Sequence, residues 1–182
     1  MSDWAEDFYE IQDVVVDNSN LRNKIVELVN DEPIHGKAFE GGNRTESFRE
    51  ILVGFFEGEM KLEESIKKVS IDLPEQESRY SGNGNVFPRG WDERLIRTQA
   101  SRFYNQAVLL TLKERGDDMC HIPHSSEEDR DSACTRELAG REVEIEMLLD
   151  RLERTYQQAD YHNKVKIPNH PHCTHTIVPI SE

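Results

Sequence analysis

The sequence predicts a mainly helical α+β protein: a helical N-terminal region followed by a small C-terminal domain of helices with short β-structure. Three observations predict it. Apolar residues recur at helical spacing over much of the chain, a stretch rich in Pro, Gly, Ser and Asn breaks that spacing near the middle, and the last apolar run, Thr174 to Ile180, is β-branched as a strand requires. With 182 residues the chain can bury a substantial core.

In chain order, Trp4, Phe8, Ile11 and Val15 keep helical spacing, and Leu21, Ile25, Leu28 and Val29 resume it after Asn18-Ser19-Asn20. Two short helices, or one interrupted helix, are expected to stop before Pro33. Residues 32–44, with Gly36, Gly41 and Gly42, read as a loop. The next helix is expected from about Thr45. Its capping-box spacing is at Ser47-Phe48-Arg49-Glu50, and one apolar face runs through Phe48, Ile51, Leu52, Phe55, Leu62, Ile66 and Val69. Gly54 and Gly58 along that face point to tight packing or a kink. Residues 1–70 thus form a helical region, and 71–90 read as a linker loop.

The helix after the linker is the best defined. Asp92 is a candidate cap, Trp91 and Ile96 have staple spacing, Gly116 supplies a stop, and Ile96, Ala100, Phe103, Ala107 and Leu110 line one face. Arg94, Arg97 and Arg102 fall on the other side, as solvated or salt-bridged residues or as contacts to an acidic partner or phosphate. Residues 141–146 alternate polar and apolar as a strand does, yet Leu138, Ile145, Leu149, Leu152 and Tyr156 also keep helical spacing, so periodicity leaves both readings open.

Charge narrows the partners. The formal net charge is −14 and Arg outnumbers Lys. Such a surface repels nucleic acid over about a Debye length, ~8 Å at physiological salt, so stable direct nucleic-acid binding is not expected and a basic protein partner suits it better. Three cysteines, with no signal-peptide pattern and no apolar run near ~18 residues, argue against secretion, a disulfide framework and a membrane span. The sequon at Asn43 is therefore expected to be idle.

The densest chemistry lies near the end, in Asn169-His170-Pro171-His172-Cys173-Thr174-His175. Proline fixes a backbone angle there, so the segment reads as a rigid turn presenting side chains. Cys134, Cys173, His175, His172 and His124 form a candidate zinc set, since tetrahedral zinc takes four soft or borderline donors. Against this, no Cys-x-x-Cys pair occurs, and adjacent His172 and Cys173 point apart in an extended segment. The plainer alternative makes the cysteines buried small hydrophobes and the histidines backbone hydrogen-bond partners. Catalysis has thin support: a Cys134 or Cys173 thiolate beside a histidine is conceivable, but no Gly-rich phosphate loop and no His-Glu-x-x-His is present. The expectation is a protein that is not an enzyme.

The order of these residues resembles a known family. Arg97-Thr98 and Asn105 are followed by Asp129-Arg130-Asp131-Ser132-Ala133-Cys134, by Leu138-Ala139-Gly140, and by the closing His170-Pro171-His172-Cys173-Thr174-His175 with Pro179. This resembles the Mu F-like minor head (head morphogenesis) proteins of phages, over the C-terminal half only. Gln99, Asp131, Thr174 and His175 depart from that family's pattern. The resemblance implies a domain at 91–182 in which Asp129, Arg130, Gly140, His170 and Pro171 are motif residues. It favours the strand reading, hence a short two-stranded sheet pairing about 141–146 with 174–179. It further implies a virion structural protein, made in the host cytoplasm, inside the capsid or near the portal. The implied partners are the portal or major capsid protein, with self-association within the virion. Residues 1–90 lie outside the resemblance.

Overall fold

The computed structural model describes residues 3–162 and 165–180. The fold is mainly helical α+β, and among the described residues seven α-helices accompany one small antiparallel sheet. The first two helices, α1 (Ile11–Asp17) and α2 (Ser19–Asp31), are separated by Asn18, whose extended backbone breaks the first and whose side chain accepts the Leu21 amide to cap the second. The long apolar face expected from Thr45 onward belongs to two helices, α3 (Arg44–Phe56) and α4 (Leu62–Asp72). They part at Gly58, which has φ +78° and lies so close to Val16 that a Cβ would sit 2.8 Å from its Cγ2. The expected capping box at Ser47 lies inside α3; the carboxylate that reaches back is Glu64, which accepts the Lys61 amide at 2.8 Å at the start of α4.

Residues 73–90 carry short turns rather than a free tether. Leu73 and Phe87 are buried, and the Arg44 guanidinium donates to the carbonyls of Leu73 and Pro74 at 3.1 and 3.0 Å. Helix α5 (Trp91–Arg115) follows and ends at Gly116, φ +89°, as the sequence indicates. Its start differs: Gly90 is the N-cap and Asp92 stands in the first turn, accepting the Glu93 amide. Its burial is also wider than a single stripe. Tyr104, Val108, Leu109 and Leu112 are buried along with Ile96, Ala100, Phe103 and Ala107, because α5 packs against α2, α3, α4 and α7 (Ile145–Gln157). One hydrophobic core therefore runs from Trp4 to Ile177.

The sheet corrects the expected pairing. Strand β1 (Met119–Ile122) lies between β2 (Arg141–Glu144) and β3 (Val178–Pro179), so the 141–146 and 174–179 segments never pair directly. Cys120 faces Val143 on one side and Pro179 on the other. The reason is local: Met-Cys-His-Ile is only four residues long, and its alternation of half-buried and buried positions was hidden among potential ligands. The strand and helix readings of 141–158 both hold in part, since β2 ends at Glu144 and α7 begins at Ile145. Between β1 and β2, the short helix α6 (Ala133–Leu138) is capped by Ser132, whose side chain accepts the Thr135 amide.

Candidate metal centre

The chain after α7 returns across the mouth of the core, and residues 173–177 are all buried. Backbone and side-chain bonds fasten it. The Phe8 amide donates to the Thr174 carbonyl at 2.8 Å, the Thr176 hydroxyl donates to the Ala5 carbonyl at 2.7 Å, and Ile177 donates its amide to Asn105 Oδ1 at 2.9 Å. Asn105 is fully buried on α5 and is itself held by the Ser101 carbonyl at 2.8 Å. Arg97, also on α5, donates to the His172 carbonyl at 3.3 Å. Arg97 and Arg102 are thus not solvated: both are buried, and Arg102 sits between the Phe103 and Tyr156 rings while donating to the Pro33 carbonyl and Gln99 Oε1.

This fastening brings the tail onto α6. The Cys134 and Cys173 sulfurs are 3.3 Å apart, and His175 Nδ1 lies 3.3 Å from the first and 3.8 Å from the second. One donor atom each from Glu128, Cys134, His170 and Cys173 lies within 4.8 Å of the others, a spacing one metal ion spans. His170 Nε2 is 3.5 Å from Glu128 Oε1, while Glu128 Oε2 accepts the Thr174 amide at 3.1 Å and its hydroxyl at 3.0 Å. Two sulfurs, imidazole nitrogens and one carboxylate make a donor set for a borderline divalent cation.

Electrostatics divides the two thiols. The hydrogen bond with Cys134 is the largest effect holding the Cys173 thiol well below its ordinary range, with the His175 contact adding, against the opposing effect of burial. The same Cys173 contact, then burial, pushes the Cys134 thiol upward. Within the pair, Cys173 is thus the thiol that ionises more readily and Cys134 the one that holds its proton. His175 is fully buried, and its Nε2 has no hydrogen-bond partner among the described residues.

Of the sequence-predicted ligands, Cys134, Cys173 and His175 meet. His172 stands apart, largely exposed, with Nδ1 3.9 Å from Glu93 Oε1; burial, then the Arg97 charge, lowers its pKa. His124 also lies outside the cluster and packs on Gly140, where a Cβ would come 2.8 Å from its Nε2. With φ +71°, Gly140 meets both a backbone and a space requirement, and its amide donates to the Ile122 carbonyl at 2.8 Å. His170, read as a motif residue, is a donor. Asp129 and Arg130 are exposed beside the cluster, and the exposed Pro171 shapes the turn in which the Cys173 amide donates to the His170 carbonyl at 3.0 Å. Glu128 was hidden in an acidic run, and no spacing rule singles it out. No known protein family, curated protein or solved structure matches this chain.

Proposed function

We propose that the chain is a structural minor head protein of a tailed virus, inside the capsid or near the portal, that assists head assembly, genome packaging or delivery. A zinc ion closes its C-terminal module. The observation that carries this reading is convergence: the residues through which the sequence resembles Mu F-like proteins meet around one tail. Asn105 holds the Ile177 amide, Arg97 holds the His172 carbonyl, and Cys134 meets Cys173. A module fastened at its own terminus is suited to presenting surfaces for assembly, and the −14 charge favours basic faces of portal or coat subunits.

Donor chemistry and spacing support zinc. Tetrahedral bonds of about 2.3 Å to sulfur and about 2.0–2.1 Å to nitrogen require S···S edges of about 3.8 Å and S···N edges of about 3.6 Å. The Cys134, Cys173 and His175 separations of 3.3, 3.3 and 3.8 Å need only small adjustments to match. Glu128 completes the four, with His170 Nε2 3.5 Å from its Oε1.

Purified heads should contain the chain at a fixed copy number, and Cys173→Ser should yield defective particles. Normal particle assembly by Cys173→Ser, together with loss of a soluble activity, would overturn the structural role. A second reading, a stand-alone metal-binding or thiol-dependent protein, is favoured by one observation, the open space that reaches Glu128 at the cluster. Elemental analysis distinguishes zinc from none: one equivalent per chain is expected, lost in Cys134→Ser and retained in His172→Ala.

A further inference from the structure

The donor cluster has a closed back and an open front. Cys134, Cys173 and His175 are buried, whereas Glu128 lines a cavity of about 600 Å³ together with His124, Ser125, Ser126, Arg130 and Thr135. Glu128 is also the donor least free to hold a cation. Its Oε2 is engaged by both the amide and the hydroxyl of Thr174, which leaves Oε1 alone facing the cluster. A zinc ion with firm sulfur and imidazole ligands and one weak position exchanges that position with water or an external anion.

The same cavity lining supplies a counter-charge. Arg130 is exposed and, among the described residues, makes no hydrogen bond or ion pair, although the chain carries a net charge of −14. Its planar fork matches the oxygens of phosphate or carboxylate groups, and Ser126 and His124 line the same cavity. We propose that a small oxyanion, a phosphate or carboxylate group, enters this cavity, replaces the Glu128 carboxylate on the zinc ion and pairs with Arg130. This rests on the zinc reading above and extends it from a clamp to a ligand-accepting site.

The test uses the full chain loaded with cobalt(II) in place of zinc, titrated with inorganic phosphate and, separately, with acetate. Cobalt bound to cysteine sulfur has thiolate charge-transfer bands, and its visible d–d bands move when a ligand is exchanged. The expected result is a saturable shift of the d–d bands with thiolate bands intact, and in Arg130→Gln a rise of about tenfold in the anion concentration needed. A response to phosphate alone, acetate alone or both supports the proposal and identifies the group accepted. Thiolate bands with d–d bands indifferent to both anions, or a shift of equal affinity in Arg130→Gln, overturn it. Absence of thiolate bands removes the zinc reading itself, and this proposal with it. Because Arg130 is exposed and unpaired, its replacement leaves the fold intact, and the unmodified chain alone already decides whether an anion reaches the metal.

Discussion

Cys120, at the centre of the sheet, is the cysteine whose chemistry is set by burial. Its thiol is fully buried, donates to the Val143 carbonyl at 3.4 Å, and has its pKa pushed up to about 12. The unfolded chain ionises this thiol near pH 9 while the folded chain keeps the proton, so the unfolded state binds fewer protons between about pH 9 and 12. Stability must then fall as pH rises through that window, by at most about 1.4 kcal/mol per pH unit from this group. Urea titrations at a series of alkaline pH values should show a shallower decline for Cys120→Ala than for the parent. Tyr104 and Tyr156, whose phenols burial also pushes upward, and the raised Cys134 thiol contribute to the slope that remains. Arg102 poses the opposite problem, a buried charge. Burial lowers its pKa only to about 10, so it stays cationic at neutral pH, with Glu32 3.6 Å away and rings on both sides. A lysine keeps the charge but cannot span the Pro33 carbonyl and Gln99 or stack on Tyr156. Arg102→Lys should therefore cost about 2 kcal/mol, seen as a fall in Tm of about 4–8 °C.

The tail is the element on which the proposed module depends, and it is held from both sides: by Asn105 and Arg97 on α5, and by the sulfur cluster on α6. Its bonds to Ala5 and Phe8 also tie the N-terminal segment to the same place. On the proposed zinc reading, removing the metal from a chain that had been held at about a hundredfold over its dissociation constant should cost about 2.7 kcal/mol. Where exchange proceeds through release of the tail, the amides of Phe8 and Ile177 should exchange about a hundredfold faster after chelation, while those in α2 change little. Equal acceleration in α2 would mean that the tail and the core open together. Asn105→Ala tests the other side, leaving the Ile177 amide buried without its acceptor at a cost of about 1–3 kcal/mol. Much of this element was legible in the sequence, because Pro171 and the β-branched run after it specify a turn followed by an extended segment. The donor cluster was legible only in part. Cys134, Cys173 and His175 were singled out by residue type and lie together, but which of His124, His170 and His172 lies near them depends on side-chain direction at the turn, which composition does not encode. Glu128 looked like one acid among many, and β1 was too short for its alternation to stand out.

At the scale of the molecule, helix periodicity identified most helices but not how many faces each would bury. Helix α5 was expected to show one apolar stripe, and its polar side was expected to carry arginines that are solvated, salt-bridged or in contact with a partner. The salt-bridged reading holds for two of them, with Arg97 3.4 Å from Glu93 and Arg102 3.6 Å from Glu32, but that side is also buried, packing Arg97 against Phe8 and Tyr9 and Arg102 against Phe103 and Tyr156. Aromatic and guanidinium groups can share a buried face without following a simple hydrophobic stripe. The consequence is that α5 is the shared centre of α2, α3 and α4 before the 71–90 segment and of α7 after it, and the core crosses that segment without a gap. A chain built this way should unfold as one unit. Trp4 reports on the N-terminal segment and Trp91 on the start of α5, so urea transitions followed by tryptophan fluorescence and by far-ultraviolet circular dichroism should coincide in the full chain. Residues 91–182 produced alone would expose the surface of α5 that α2, α3 and α4 cover, and that fragment should be aggregated or only partly folded even with zinc present. A monomeric fragment with a sharp unfolding transition would instead mean that the C-terminal module holds its own core, and that the helices before residue 71 are an attached layer.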